Sequence, residues 1–136
     1  MKQSKYKAKK SECDGIVFDS KVEMDYYKHL KFLQAVNEIK NFKIQVSYPL
    51  LDSFQATTGE KIRAITYKVD FVIKHLDGTV QAIDVKGIST EVAKIKRKLF
   101  MHKYPEIQLS WISYVKKWGG WVDYFDLQKL RKKNKK

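Results

Sequence analysis

Three residues near the middle of the chain, Asp70, Asp84 and Lys86, are of the types and spacing that could do chemistry. Asp84 and Lys86 stand two positions apart in Ile83-Asp84-Val85-Lys86-Gly87, so on a strand both side chains leave the same face. Whether Asp70 joins them depends on how its own run pairs with this one. From Arg63 to Lys74 the odd positions Ile65, Tyr67, Val69, Phe71 and Ile73 are apolar, and Ile83 and Val85 continue that parity between Thr79 and Lys86. The period of two predicts two strands joined as a hairpin across His75-Leu76-Asp77-Gly78. A two-residue Asp77-Gly78 loop would set Asp70 opposite Val85, an acid against a core residue. A three-residue loop, Leu76-Asp77-Gly78 with Gly78 left-handed, preserves parity and sets Asp70 opposite Asp84. The second register sorts Val69, Phe71, Ile73, Ile83 and Val85 onto one apolar face and leaves Asp70, Asp84 and Lys86 on the other. A slip of one residue would destroy that sorting.

Carboxylates opposed across a strand pair repel unless a cation or a proton intervenes. A divalent metal resolves the conflict. Hard oxygen ligands suit Mg²⁺, with Mn²⁺ able to substitute, because Mg²⁺ takes one or two carboxylates and completes its shell with water and phosphate oxygen. Lys86 beside such a metal could orient the attacking water and offset charge building on a phosphate. The pattern therefore points to phosphodiester hydrolysis, while D-x-K alone also fits a polar sheet face in which a lysine bridges two acids.

Composition favours a polyanionic partner. The 136 residues include 28 Lys and Arg against 15 Asp and Glu, a formal charge of +13, which makes nucleic acid the first candidate and an anionic membrane surface a further one. No apolar run approaches the roughly 18 residues of a membrane span, and no apolar stretch follows MKQSKYKAKKSE, so a cytoplasmic location without a signal peptide is expected. Cys13 is the single cysteine, and His29, His75 and His102 are scattered, which argues against an internal disulfide or a zinc site. We expect a basic flexible arm over 1–11, one domain over 12–128 and a basic tail over 129–136.

These residues need elements to hold them. Val22, Tyr26, Leu30 and Leu33 recur at helical spacing behind Asp19-Ser20, predicting a first helix over about 20–37. Phe42, Ile44, Val46 and Tyr48 alternate as a strand before Pro49. After the hairpin, a second helix starts near Ser89-Thr90, is expected to bury Val92, Ile95 and Leu99, and stops before Pro105. A strand over 107–115 follows, then a turn at Trp118-Gly119-Gly120-Trp121 and a C-terminal helix over about 122–132. The order is an α/β arrangement, α-β-β-β-α-β plus a C-terminal helix, with a central mixed β-sheet flanked by helices.

Val69-Asp70-Phe71, a short hairpin, Ile83-Asp84-Val85-Lys86-Gly87 and a basic helix together resemble the core of the PD-(D/E)XK nuclease superfamily. Val69 replaces the usual proline of the first motif, and Asp84 stands where many members carry Glu. The chain is also similar, from residue 5 to about 110, to a phage-encoded family of small nuclease-like proteins. That likeness rests on Phe18-Asp19-Ser20-Lys21-Val22-Glu23, on Gln45, and on Arg63-Ala64-Ile65-Thr66-Tyr67 leading to Asp70. The resemblance implies a restriction-endonuclease-like core with Asp70, Asp84 and the Val85 backbone carbonyl as metal ligands. It also implies a catalytic or water-mediated metal role for Glu23. Ser20-Lys21-Val22-Glu23 is equally an S-x-x-E capping box, so Glu23 has a purely structural alternative. Ser20, Gln45 and Thr66 are secondary candidates.

For DNA contact the sequence offers Lys94, Arg97 and Lys98, expected to project from the second helix away from its apolar stripe, and Arg63 on the way to Asp70. A solvated helix face is the common meaning of such a run. Trp118 and Trp121 could stack on unpaired bases, though large aromatics in small domains usually pack the core. The resulting expectation is a Mg²⁺-dependent endonuclease acting on double-stranded or branched DNA in phage recombination, replication or packaging, in the host cytoplasm, with a homodimer as one assembly open to it. The alternatives are a non-catalytic DNA-binding protein and an assembly or regulatory factor on a nuclease scaffold.

Overall fold

A computed structural model describes residues 10–87 and 89–133. Residues 1–9 of the expected arm and 134–136 of the expected tail lie outside the described residues. Two short strands, β1 (Ser11–Cys13) and β2 (Ile16–Phe18), pair across Asp14-Gly15, both with positive φ as a tight hairpin turn requires. Helix α1 (Lys21–Ala35) starts at Ser20, whose Oγ accepts the Glu23 N–H at 3.1 Å. Strand β3 (Asn41–Leu51) carries Pro49 at a sheet edge, where a missing N–H is tolerated. A small outlying hairpin, β4 (Phe54–Gln55) with β5 (Lys61–Ile62), leads into β6 (Ile65–Lys74) and β7 (Val80–Val85).

Helix α2 (Glu91–Lys103) is capped by Thr90 and gives way to β8 (Ile107–Val115). A short 3₁₀ turn at Lys116–Trp118 precedes β9 (Gly120–Asp123) and α3 (Tyr124–Lys133). The central sheet runs β3-β6-β7-β8-β9, antiparallel except where β7 and β8 pair in parallel around the α2 crossover. This is a mixed α/β fold with the element order read from the sequence, extended by three features not foreseen there: the β1–β2 hairpin, the β4–β5 hairpin and β9. Among the described residues no helix is long and apolar enough to cross a membrane. The first residues of the expected tail, Lys129 to Lys133, belong to α3.

The hairpin takes the three-residue loop. His75 and Thr79 close it with a backbone bond of 2.9 Å, Gly78 has φ +90, and Phe71 pairs with Ile83, Val72 with Ala82 and Ile73 with Gln81. Val69, however, does not share a face with Phe71. Val69 and Tyr67 pack with Ala82 and Phe100, whereas Phe71, Ile73 and Ile83 pack with Phe18, Tyr26 and Leu30 of the α1 side. On β3 the same exchange separates Phe42 and Ile44 from Val46 and Tyr48. The cause is local. Gln45 sits in the left-handed region at φ +49, opposite Asp70, and strict alternation breaks in both strands at this rung.

Helix α2 corrects a second expectation. Its stripe of Val92, Ile95 and Leu99 points outward, 63%, 57% and 43% exposed, and its buried anchor is Phe100. Phe100 meets Tyr48, Tyr67 and Tyr104 with ring centroids 5.0–5.6 Å apart, so one large aromatic ring does the packing that the aliphatic stripe was expected to do.

Candidate active site

Strands β6 and β7 stay paired to Phe71 and Ile83 and then part. At that point the carboxylate of Asp70 takes the place of a backbone partner, accepting the Val85 N–H at 2.8 Å. Asp84, on the next rung of β7, is 5% exposed. Its Oδ2 accepts a 2.6 Å hydrogen bond from the Tyr67 hydroxyl and lies 3.1 Å from Lys86 Nζ. Tyr67 in turn accepts the Trp111 indole N–H at 2.9 Å, and Trp111 is the β8 neighbour of Asp84. Tyr67 is held in its neutral, donating form, its pKa raised by burial and by the adjacent Asp84 charge. Among the described residues, no buried side-chain polar atom of this network or elsewhere lacks a partner.

Trp111 also sets the cations. Lys86 Nζ lies 4.8 Å from the indole centroid, and Ser113 Oγ donates to the Lys86 carbonyl at 2.5 Å, so both ends of that lysine are restrained. Arg97 does not project away from the core. Its guanidinium stacks over Phe125 at 4.3 Å and stands 5.7 Å from Trp111, joining α2 to α3.

The acids feel one another. Burial, the Asp84 charge and the Glu23 charge push the Asp70 pKa from 3.8 up to about 8, while the Val85 N–H opposes the rise. Burial followed by Asp19 and Asp84 raises Glu23, and the Asp19 backbone and Lys68 lower it. The Glu23 N–H is used by the Ser20 cap, and the Glu23 carboxylate lies within electrostatic reach of Asp70 and Asp84. Among the described residues no three His, Cys, Asp or Glu groups stand at full metal-ligand spacing. Two neighbouring carboxylates, one driven toward protonation by burial and then by the charge of the other, offer the hard oxygen that Mg²⁺ takes when water and phosphate complete its shell.

A cleft of roughly 420 Å³ opens beside this site, bounded by Ser20 at the cap of α1, Glu23 of α1, Lys86, Ser113 and Tyr114 of β8, and Arg131 of α3. A family described as a protein of unknown function, DUF1064, matches residues 3–120. The chain belongs to the DUF1064 family. Among curated proteins none matches it. The DUF1064 match spans Glu23, Asp70, Asp84, Lys86, Tyr67 and Trp111, and stops before α3 and Arg131.

The remaining candidates fall outside the acidic cluster. Gln45 is exposed at the Asp70 rung, and its left-handed backbone is a conformation that costs a non-glycine residue on the order of 1–3 kcal/mol. Thr66 is exposed and pairs with Pro49 on β3. Arg63 is exposed in the link from β5 to β6. Lys94 and Lys98 are exposed one turn apart on α2, Lys94 lying 3.4 Å from Glu91. Trp121 packs against Tyr26 and Tyr114, with centroids 4.8 and 4.9 Å away, and the Trp118 side chain lies outside what is described. Sequence reasoning counted Tyr67 as an apolar strand residue and passed over Trp111 and Arg131. The alternation that marks a strand does not say which aromatic will use its polar atom.

Proposed function

We propose that this DUF1064 chain is a Mg²⁺-dependent DNA endonuclease of the PD-(D/E)XK type. The observation that carries the reading is the electrostatic closeness of Asp70 and Asp84 where β6 and β7 part, with Lys86 3.1 Å from Asp84, beside an open cleft. Asp70 and Asp84 would hold the metal, with the Val85 carbonyl as a further ligand and Glu23 acting through water. Bound there, Mg²⁺ supplies Lewis-acid charge to a phosphate oxygen and acidity to a coordinated water. Tyr67 fixes the rotamer of Asp84 by the hydrogen bond it donates, and Trp111 holds Tyr67 by donating to its hydroxyl. Lys86, confined by Trp111 and Asp84, presents an ammonium to the developing negative charge on the phosphate. The basic chain draws DNA to this edge, in the recombination, replication or packaging of phage DNA in the host cytoplasm, with four-way junctions among the substrates and a homodimer among the assemblies.

The test is a panel of linear, nicked, flapped and four-way-junction DNA with Mg²⁺ or Mn²⁺. Cleavage that disappears in Asp84→Ala supports the assignment; equal cleavage by mutant and wild type refutes it. One observation favours a non-catalytic reading, either DNA binding or assembly on a nuclease scaffold. Asp84 is already satisfied by Tyr67 and Lys86. On that reading no DNA in the panel is cut, and Mg²⁺ leaves the melting temperature unchanged.

A further inference from the structure

The cleft has an aromatic wall that the hydrolytic chemistry does not use. Tyr114 is 52% exposed although it lies at the end of a sheet strand. Its ring is fixed from behind: Trp121 meets it edge-on at 4.9 Å, and Gly120, at φ +106, is so close that a Cβ there would stand 3.4 Å from Tyr114 Cε2. The ring is thus a braced plate, immobilised on one side and open to the cleft on the other. Val85 and Leu127 add apolar lining, and Arg131 brings a cation to the same cleft, which Lys86 also lines while its ammonium is held by Asp84. Its volume of roughly 420 Å³ falls within the range of sites for compact organic ligands, roughly 300–1,000 Å³.

A flat apolar surface beside a cation suits one chemical unit, a base joined to a phosphate. A base inside a duplex keeps its faces stacked on its neighbours, so only an unpaired nucleotide can lay a face on Tyr114. We infer that this cleft receives an unpaired nucleotide of a DNA strand, its base on Tyr114 and its phosphate on Arg131. The substrate class is then DNA with a single-stranded extension or flap beside the cutting site. The inference rests on the nuclease reading for the position of the scissile bond, but not for binding itself.

The experiment measures binding of the full chain in EDTA to a blunt duplex, to the same duplex with a short single-stranded extension on either strand end, and to an RNA of the extension's sequence. Wild type is expected to prefer one of the extended duplexes. Tyr114→Ala is expected to lose roughly ten-fold affinity for it, Tyr114→Phe to retain that affinity, and both to bind blunt duplex as wild type does. Arg131→Ala, on the exposed end of α3, is expected to weaken extended DNA without altering thermal stability, and it serves as the reporter if Tyr114→Ala does not fold. Equal affinities for all duplexes, an equal loss on blunt and extended DNA in Tyr114→Ala, or tighter binding of the RNA would overturn the inference. Tyr114-dependent binding without cleavage keeps this site and removes the nuclease reading. Cleavage with Tyr114-independent binding does the reverse.

Discussion

Replacing Asp70 by Asn isolates the repulsion at the centre of the proposed site. The amide oxygen can still accept the Val85 N–H, as the carboxylate does at 2.8 Å, and the amide nitrogen can donate to Asp84, so packing is conserved while one negative charge disappears. An unfolded Asp ionises near 3.9, whereas folding raises this one from 3.8 to about 8. Between those values the native state holds a proton that the unfolded chain has released. Stability is therefore fully present below about pH 4, falls as pH rises toward about 8, and levels off above. Four units at roughly 1.4 kcal/mol each set a ceiling of about 6 kcal/mol. Water entering where β6 and β7 part reduces this, and we expect Asp70→Asn to be more stable than wild type by about 2–4 kcal/mol at pH 8.5 in EDTA, and nearly equal at pH 4. Urea unfolding across that range measures it. Mg²⁺ at saturating concentration should restore wild type and leave the variant unmoved, since a ligand of the native state stabilises by mass action. Parallel pH profiles for the two proteins, or a variant less stable at pH 8.5, would refute the account of the site.

Asp84→Ala is expected to abolish Mg²⁺-dependent cleavage while DNA binding in EDTA stays equal or tightens, because a negative charge beside phosphate has gone; filter binding and a nicking assay separate the two. Tyr67→Phe removes the donor to Asp84 and the acceptor of the Trp111 N–H, and should cost about 1–3 kcal/mol in denaturant unfolding, with a shift of the Trp111 indole proton resonance. Lys94→Ala combined with Lys98→Ala should reduce the slope of log affinity against log salt by up to about 1.8 if both meet phosphates, and an unchanged slope would leave them a solvated face. Ile95→Asp should alter stability by less than about 0.5 kcal/mol, whereas Phe100→Ala should cost about 3–5 kcal/mol, a contrast that reverses if the aliphatic stripe of α2 packs inward.

The hairpin register was legible in the sequence because two constraints coincide there: the parity of Phe71, Ile73 and Ile83, and a Gly at the one loop position that demands positive φ. Helix ends were legible for a similar reason, Ser20 and Thr90 being cap residues whose side chains accept from the first turn. Periodicity in α2 was real but ambiguous. A helix with both an aliphatic line and a lone Phe100 can turn either inward, and only the pocket of Tyr48, Tyr67 and Tyr104 decides. Arg97 was misread because its stem and guanidinium suit an aromatic surface as well as water, and the rings of Phe125 and Trp111 come from elements far away in sequence. The side of Val69 depended on the backbone of Gln45, a residue type that gives little notice of a left-handed conformation.

The simultaneous change of side in β3 and β6 at the rung of Gln45 and Asp70 limits how this gene can tolerate length variation. An added or lost residue in the outlying loop between Gln55 and Lys61 alters only a peripheral turn. The same event anywhere from Val69 to Phe71 would invert one half of a strand relative to the other, exchanging inside for outside in two hydrophobic clusters at once. Relatives that keep this architecture should therefore vary freely in the first segment and align without gaps through the second.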